Sequence, residues 1–304
     1  MTPEQILSTP VRVLSQAQRE AYFEDGFIVL EHFIPDEWLR KLRAATDRLI
    51  ERSRALGVSD AVFDLEPDHT SANPRLRRVT SPVDQDPVFW NYLARSQLAD
   101  VVADLVGPDV KYHHSKLNFK WARGGEEVKW HYDISFWPHT NYSPLTVGTY
   151  LYDCDMQQGP VGFIPGSQKQ PMATQYNREG KWIGCMSPAD VAKLDLSKAK
   201  YMIGPAGSVT IHDCRTIHGS AVNSSIHPRP LLLYTLTAAD AFPYTANPLP
   251  SRQYSGTVIR GKPARYARVE AGVEQCEIPP DWSRGYTSIF ALQQEESAAA
   301  AAAM

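Results

Sequence analysis

The chain has little of several features that mark particular protein classes. Its 304 residues include only four cysteines, and no two of them form a CxxC pair. This argues against a zinc ribbon and against a dense disulfide framework, so we expect a reducing, cytoplasmic setting. No stretch approaches the roughly 20 apolar residues of a membrane helix. The first 14 residues lack the apolar core of a signal peptide, and we expect no membrane partner.

Excess positive charge is also missing. The formal net charge is −3 and no basic cluster stands out, so nucleic acid is not an expected partner. The same observation gives no support for a coenzyme A pocket. Hydrophobic residues make up 43% and charged residues 21% of the chain, as in an ordinary soluble enzyme. A small-molecule substrate is the expected partner.

The first third of the chain has helical patterns. Ser15 before a glutamine- and glutamate-rich turn predicts a helix start, and Gly26 predicts its end. A second helix should begin near Pro35, and helical spacing returns over 86–106. One strand is expected near Arg77 in an otherwise irregular 58–85. From Val110 onward the pattern is that of strands, expected at 111–121, 126–133, 145–153, 161–164, 207–213 and 230–238.

This order of elements predicts a mainly β protein with flanking helices, either a barrel or a sandwich. We expect one domain over 1–290, with a helical N-terminal support at about 15–106 and a barrel core at about 110–240. The alanine-rich tail, 291–304, is expected to be disordered. The long irregular segment 168–206 is either a lid over the site or a loop that only fills space on the surface of the domain.

The stretch around His131 and Asp133 is the first candidate for chemistry. Residues two apart on a strand point to the same face, so both side chains could bind one divalent metal. A third ligand would complete the facial triad of non-haem Fe(II) oxygenases, which leaves positions open for other ligands. The pair alone is more often an incidental packed or surface pair than a metal site, so the rest of the sequence has to support the metal-binding interpretation. The candidates for third ligand are His113, His114, His139, His212, His218 and His227.

His218 is distinguished from the other histidines by the residues after it. Arg229 comes eleven residues later and opens the apolar run 231–234. A charged residue at the start of a buried strand needs a partner. That partner is either a structural ion pair or the carboxylate of a cosubstrate, which a guanidinium binds in bidentate fashion.

Taken in order, these motifs resemble the phytanoyl-CoA dioxygenase family of Fe(II)/2-oxoglutarate oxygenases, which includes ectoine hydroxylases. The resemblance rests on residues 22–30, His131-Tyr132-Asp133, 164–167, His218-Gly219-Ser220 and Arg229. It implies a double-stranded β-helix, the jelly-roll or cupin-like barrel. It also implies Fe(II), 2-oxoglutarate as cosubstrate, and O2.

The resemblance assigns roles to individual residues. His131, Asp133 and His218 correspond to the iron ligands, and Arg229 to the residue that binds the distal carboxylate of 2-oxoglutarate. Further 2-oxoglutarate contacts are expected from Ser220, Asn118 and Thr149; Thr149 is included because its neighbour Gly148 stands where many members have tryptophan. The aromatic and charged candidates for substrate contact are Phe136, Trp137, Tyr150, Trp182 and Arg178.

The reaction implied is hydroxylation of an unactivated C–H bond with release of succinate and CO2. The carboxylate of Asp133 favours hydroxylation, because related halogenases have a small residue at that position. Desaturation, cyclisation and epimerisation remain alternatives. A non-catalytic metal-binding barrel and a cofactor-free binding domain are the other candidate classes, although a mere metal binder does not need Arg229.

Overall fold

Helices precede most of the strands along the chain. The computed structural model describes residues 1–273, 276–282 and 288–294. The helices are α1 (Pro3–Leu7), α2 (Gln16–Asp25), α3 (Asp36–Ser53), α4 (Pro82–Gln85), α5 (Pro87–Arg95), α6 (Leu98–Val106) and α7 (Pro188–Val191). The strands are β1 (Phe27–Leu30), β2 (Phe63–Leu65), β3 (Leu76–Thr80), β4 (Val110–Lys120), β5 (Val128–His131), β6 (Leu145–Tyr150), β7 (Gly162–Phe163), β8 (Lys200–Tyr201), β9 (Val209–Asp213), β10 (His218–Ser220), β11 (Arg229–Ala238) and β12 (Val258–Arg260).

Two antiparallel sheets form the barrel. The larger has the order β1-β9-β6-β11-β4-β3-β2, with β12 paired to β4, and the smaller has the order β5-β10-β7-β8. From β1 to β4 along this order, neighbouring strands are distant in sequence, as in a jelly roll. The predicted fold class, a mainly β barrel with flanking helices, is confirmed.

The N-terminal helices cover the outer face of the larger sheet. Leu42, Ala45 and Leu49 of α3 are almost completely buried and belong to one apolar cluster with Leu117 of β4 and Leu232 of β11. Each fully buried leucine contributes about 1.5–3 kcal/mol. The other face of β4 and β11 is left to line the barrel interior, because successive side chains alternate.

The helix ends follow the predicted signals. Ser15 accepts a hydrogen bond from Gln18 N and forms a capping box with it. Gly26 ends α2 in the left-handed conformation, with φ of 85°. An added Cβ there would lie 2.4 Å from Thr216 Oγ1, so this position requires glycine for conformation and space.

Several short elements were not predicted. The expected helix over 86–106 is divided into α5 and α6, because Ser96 has an extended backbone. The segment 58–85 contains β3, the strand expected near Arg77, and in addition β2 and α4, which were not expected. The strands β8, β10 and β12 have two or three residues each, too few to show a two-residue periodicity.

The C-terminal segment is partly helical. Residues 289–294 are helical, and Gln293 Oε1 accepts a hydrogen bond from Lys129 N at 3.0 Å. Disorder was expected from residue 291 to residue 304. The first four of these residues are instead helical, and Gln293 contacts the barrel. Residues 295–304 lie outside the described part. Within that part, no helix is long and apolar enough to cross a membrane.

Candidate active site

His131 and His218 are brought together by strand pairing. The two are register partners in the antiparallel pair β5–β10, and their ring centroids lie 4.1 Å apart. Asp133 joins them from just beyond the end of β5, where its backbone is helical (φ −67°, ψ −41°). The strand predicted to run to 133 ends at His131, so a turn and not strand alternation aims the carboxylate. One ligand atom from each of the three residues lies within 4.8 Å of the others.

Both imidazoles are fixed through their Nδ1 atoms. His131 Nδ1 lies 2.8 Å from Lys129 O, and His218 Nδ1 lies 2.9 Å from Thr216 O. A carbonyl only accepts, so Nδ1 carries the proton and Nε2 keeps its lone pair. The two Nε2 atoms lie 3.8 and 3.7 Å from Asp133 Oδ1. Two nitrogens and one oxygen thus face a common point.

The second oxygen of Asp133 is held by two donors. Thr146 Oγ1 donates to Oδ2 at 2.7 Å, and His212 Nε2 lies 3.2 Å from the same atom. Burial would raise the pKa of this carboxyl, but the neighbouring His218, the His212 hydrogen bond and the charge of Lys116 hold it well below its usual range. His212, one of the competing histidines, is therefore placed behind the carboxylate and not among the three ligand atoms.

The protonation states suit a metal. Burial lowers the pKa of His131 to about 4. Burial, together with the neighbouring His131, lowers the pKa of His218 well below its usual range. Both rings are neutral at neutral pH, which is the form that binds a metal. The nitrogen and oxygen donors on one side, with the other side open to a cavity, fit a non-haem iron ion.

A cavity runs from this triad to Arg229. Arg229 is 5% exposed and is the register partner of Lys120. Its Nε and Nη1 atoms have no hydrogen-bond partner among the residues described, and neither has Asn118 Oδ1. Lys120 Nζ donates instead to the carbonyls of Ser220 and Ala221. The buried, unpaired guanidinium fits the distal carboxylate of 2-oxoglutarate. Asn118 and Ser220 line the same cavity, as expected.

Thr149 is not part of this cavity. Its hydroxyl lies on the outer face of β6 and hydrogen-bonds Tyr92 Oη at 3.0 Å. The expected contact between Thr149 and the cosubstrate is therefore wrong, because alternation along the strand turns this residue towards the helices. Tyr150 faces the interior, and the charge of Arg229 acts on its phenol, whose pKa is raised by burial. Tyr150 thus lies at the cosubstrate end, not at the substrate end where it was predicted.

A second cavity opens on the other side of the triad. It shares His131, Asp133, Lys116 and Asn118 with the first. Two of the predicted substrate residues, Phe136 and Trp137, line it. The cavity is completed by side chains that were not predicted to contact substrate: Arg78, His114, Pro248, Leu249, Ile289 and Phe290.

The other two substrate candidates do not reach either of these cavities. Trp182 is buried behind Phe136, with ring centroids 5.5 Å apart, and supports that side chain from outside. Arg178 is exposed in a turn. Both expectations came from their place in the long segment 168–206, whose path could not be read from local sequence.

Phe290 is the clearest residue that sequence reasoning missed. It is 2% exposed and, with Ile289, lines both cavities. The segment around it is fixed by Gln293, whose Nε2 donates to Gly184 O at 3.3 Å. The only signal in the sequence is an apolar pair just before an alanine-rich tail, and such a pair does not specify where it packs.

Three side chains that can bind one metal ion lie beside a buried guanidinium that fits a dicarboxylate. This combination defines the class of Fe(II)- and 2-oxoglutarate-dependent oxygenases. Comparison with known proteins gives the family within that class. The model of the phytanoyl-CoA dioxygenase family, PhyH, matches residues 22–231, well over half of the chain. The protein belongs to this family, as the sequence motifs predicted. It is an enzyme that uses iron, 2-oxoglutarate and O2.

Individual relatives support the same class. The chain is 30% identical over 233 residues to a probable alpha-ketoglutarate-dependent hypophosphite dioxygenase of Stutzerimonas stutzeri, covering 76% of this chain and 81% of that one. It is 28% identical over 242 residues to an ectoine dioxygenase of Bordetella parapertussis, covering 71% and 72%. The crystal structure of EctD from S. alaskensis with 2-oxoglutarate and 5-hydroxyectoine is similar at a TM-score of 0.66 and 25% identity, covering 87% of this chain and 91% of that one.

Proposed function

We propose that this enzyme hydroxylates an unactivated C–H bond of a small molecule while 2-oxoglutarate is converted to succinate and CO2. One observation carries the proposal. The Nε2, Nε2 and Oδ1 atoms of the triad face a cavity whose far end holds the buried, unpaired guanidinium of Arg229. A metal binder without a cosubstrate would leave that charge uncompensated.

In this proposal His131, Asp133 and His218 hold Fe(II), and Arg229 binds the distal carboxylate of 2-oxoglutarate. Asn118 and Ser220 flank the cosubstrate along the same cavity. The iron, with 2-oxoglutarate and O2, supplies the oxidising chemistry. The carboxylate of Asp133 occupies a coordination position, and this favours hydroxylation over halogenation.

The remaining residues orient the substrate and exclude water. Phe136 and Trp137 give the substrate cavity apolar walls next to the triad. Phe290 and Ile289 close it from the C-terminal side. Exclusion of water strengthens the electrostatic interactions within the site and limits side reactions.

Anaerobic reconstitution tests the assignment of ligands. Fe(II) with 2-oxoglutarate should give the weak visible charge-transfer band of the chelate in the wild-type protein. Asp133→Ala and His218→Ala should lose this band, whereas the exposed His227→Ala should keep it. A band that persists in both ligand variants would overturn the assignment, and a wild-type protein without a band would overturn the proposed function.

The relatives favour a small substrate. The names of the two relatives described above specify ectoine and hypophosphite, each far smaller than an acyl-CoA thioester. We propose a substrate of similar size for this enzyme. Measurement of succinate formed with a panel of such compounds, against a blank with 2-oxoglutarate alone, tests this. Turnover of acyl-CoA thioesters but of no small compound would contradict it.

A further inference from the structure

A row of polar side chains crosses the interior face of the larger sheet. Thr235 of β11 is the register partner of His114 on β4 and of Thr146 on β6. None of the three residues is more than 2% exposed. The row ends at the metal ligand Asp133, whose Oδ2 atom lies 2.7 Å from Thr146 Oγ1. Buried polar groups of this kind are stable only when they bond one another.

A β-bulge adds a second histidine to the row. Thr235 pairs with His114. The next residue, Leu236, pairs with Tyr112, so His113 is left between them as an extra residue of β4. Adjacent residues of a regular strand face opposite sides, but a bulge can re-aim a side chain. The Nδ1 atoms of the two histidines lie 2.7 Å apart. The polar row thus consists of His113, His114, Thr235 and Thr146.

The direction of each hydrogen bond in the polar row follows from Asp133, because a carboxylate only accepts. Thr146 donates its single hydroxyl proton to Oδ2, so its oxygen accepts from Thr235 at 3.2 Å. Thr235 has no second proton, so His114 Nε2 is protonated and donates to it at 3.3 Å. Burial lowers the pKa of His114 to about 3, so this ring is neutral and its Nδ1 accepts. The donor to that atom is Nδ1 of His113.

The far end of the polar row agrees with this direction. Burial lowers the pKa of His113 well below its usual range, so this ring is neutral as well. With the proton on Nδ1, the Nε2 atom keeps a lone pair, and it has no hydrogen-bond partner among the residues described. Among buried backbone groups, an N–H without an acceptor is rarer than an acceptor without a donor.

We propose that the polar row, from the bulge residue His113 to the hydroxyl of Thr146, positions the carboxylate of Asp133 for the metal. Its four hydrogen bonds all point towards Oδ2, which keeps this oxygen occupied while Oδ1 faces the metal position. Each bond polarises the next, so the bulge in β4 acts on the carboxylate from a distance. This inference rests on the proposed oxygenase function and deepens it.

Nitrogen NMR of the metal-free protein tests the direction of the row. With isotope-labelled histidine, the ring signals show which nitrogen carries the proton. At neutral pH His113 should be protonated on Nδ1 and His114 on Nε2. The variants His113→Asn and His114→Gln assign the two sets of signals by their loss. The opposite tautomer of either ring would reverse the row and overturn the proposal.

Anaerobic competition for Fe(II) tests the effect on the carboxylate. Thr235→Val interrupts the polar row and keeps the shape of the side chain. The affinity for Fe(II) should become about three-fold weaker, because the Thr146 hydroxyl is no longer polarised by a donor. Thr235→Ser restores the hydroxyl and should recover the affinity. Thr237→Val is the matched control on the same strand, since the Thr237 hydroxyl donates to Ala238 O outside the row, and it should bind Fe(II) like the wild type.

The outcomes separate this inference from the function on which it rests. A wild-type protein that binds no Fe(II) would overturn the oxygenase proposal and the positioning role with it. Normal Fe(II) binding with the opposite tautomers would overturn the row alone. The positioning role also fails if Thr235→Val binds Fe(II) as tightly as Thr237→Val does. It fails equally if Thr235→Ser does not recover the loss, because the loss would then come from packing.

Discussion

The Thr146 hydroxyl should contribute measurably to iron affinity although it is not a ligand. It donates to Asp133 Oδ2 at 2.7 Å in a fully buried setting. Thr146→Val removes this donor and keeps the shape of the side chain. A hydrogen bond to a charged group contributes about 1.5–3 kcal/mol. Because His212 still holds the same oxygen, we expect the lower end of that range, about a ten-fold weaker affinity for Fe(II).

The chain offers a matched control on the same strand. Thr149→Val makes the same change three residues later, on the outer face of β6. It removes the hydrogen bond to Tyr92, so about 1 kcal/mol of the free energy of unfolding should be lost. Its affinity for Fe(II) should equal that of the wild type, since Thr149 contacts neither the ligands nor the cavity.

Anaerobic competition for Fe(II) against a coloured chelator of similar affinity measures the effect. Urea unfolding of both variants shows separately how much stability each has lost. His212→Phe combined with Thr146→Val removes both donors and should weaken Fe(II) binding by roughly 100-fold, as is typical when outer partners of a metal ligand are lost. Equal Fe(II) affinities in Thr146→Val and Thr149→Val would refute the reasoning.

Three further predictions concern other parts of the site. Arg229→Gln should raise the dissociation constant of 2-oxoglutarate by about 30-fold or more with unchanged Fe(II) affinity, since its buried cation is the proposed partner of the distal carboxylate; a titration of the visible band measures this, and equal constants would contradict it. Phe290→Ala should increase succinate formed without substrate, because it opens both cavities to water; an unchanged blank rate would argue against a closing role. Burial lowers the pKa of His114 to about 3 and the pKa of His139 to about 4, whereas the unfolded value is about 6.5. Between these values the unfolded chain therefore binds more protons than the folded chain. Lowering the pH from 6.5 to 5 should reduce the free energy of unfolding by roughly 1–2 kcal/mol per histidine. His139→Gln should show a shallower loss in urea unfolding at the two pH values, and an identical slope would contradict this.

The sequence was most informative where a residue's role depends on its type and on motif order. His131, Asp133, His218 and Arg229 were selected from nine histidines and many charged residues in this way, and the structure places them around one cavity. The family and the barrel fold were likewise predictable. The backbone conformation at Asp133 was not predictable. A strand that continues to residue 133 and a strand that ends in a turn at this point would both place the Asp133 carboxylate near His131.

The predictions were wrong where a residue's role depended on the face of the sheet that its side chain occupies, or on packing between segments distant in sequence. Thr149 and Tyr150 are neighbours, and a shift of one residue moves a side chain to the other face of the sheet. Arg178 and Trp182 lie in a long segment with no periodicity. Phe290 reaches the site only because its short helix packs across the barrel, a tertiary contact that no local pattern contains.

The Nδ1 anchoring of His131 and His218 has a consequence for how the enzyme acquires the correct metal. Both rings are oriented by carbonyls two residues earlier in the chain, so the ligand set is complete before any ion arrives. A preformed set of two nitrogens and one oxygen follows the general affinity order of divalent metals, in which Ni²⁺ and Cu²⁺ exceed Fe²⁺. Fidelity for iron must therefore come from the supply of metal in the cell. Protein purified on a nickel column should carry nickel in this site, and only removal with a chelator and reloading should give the active form.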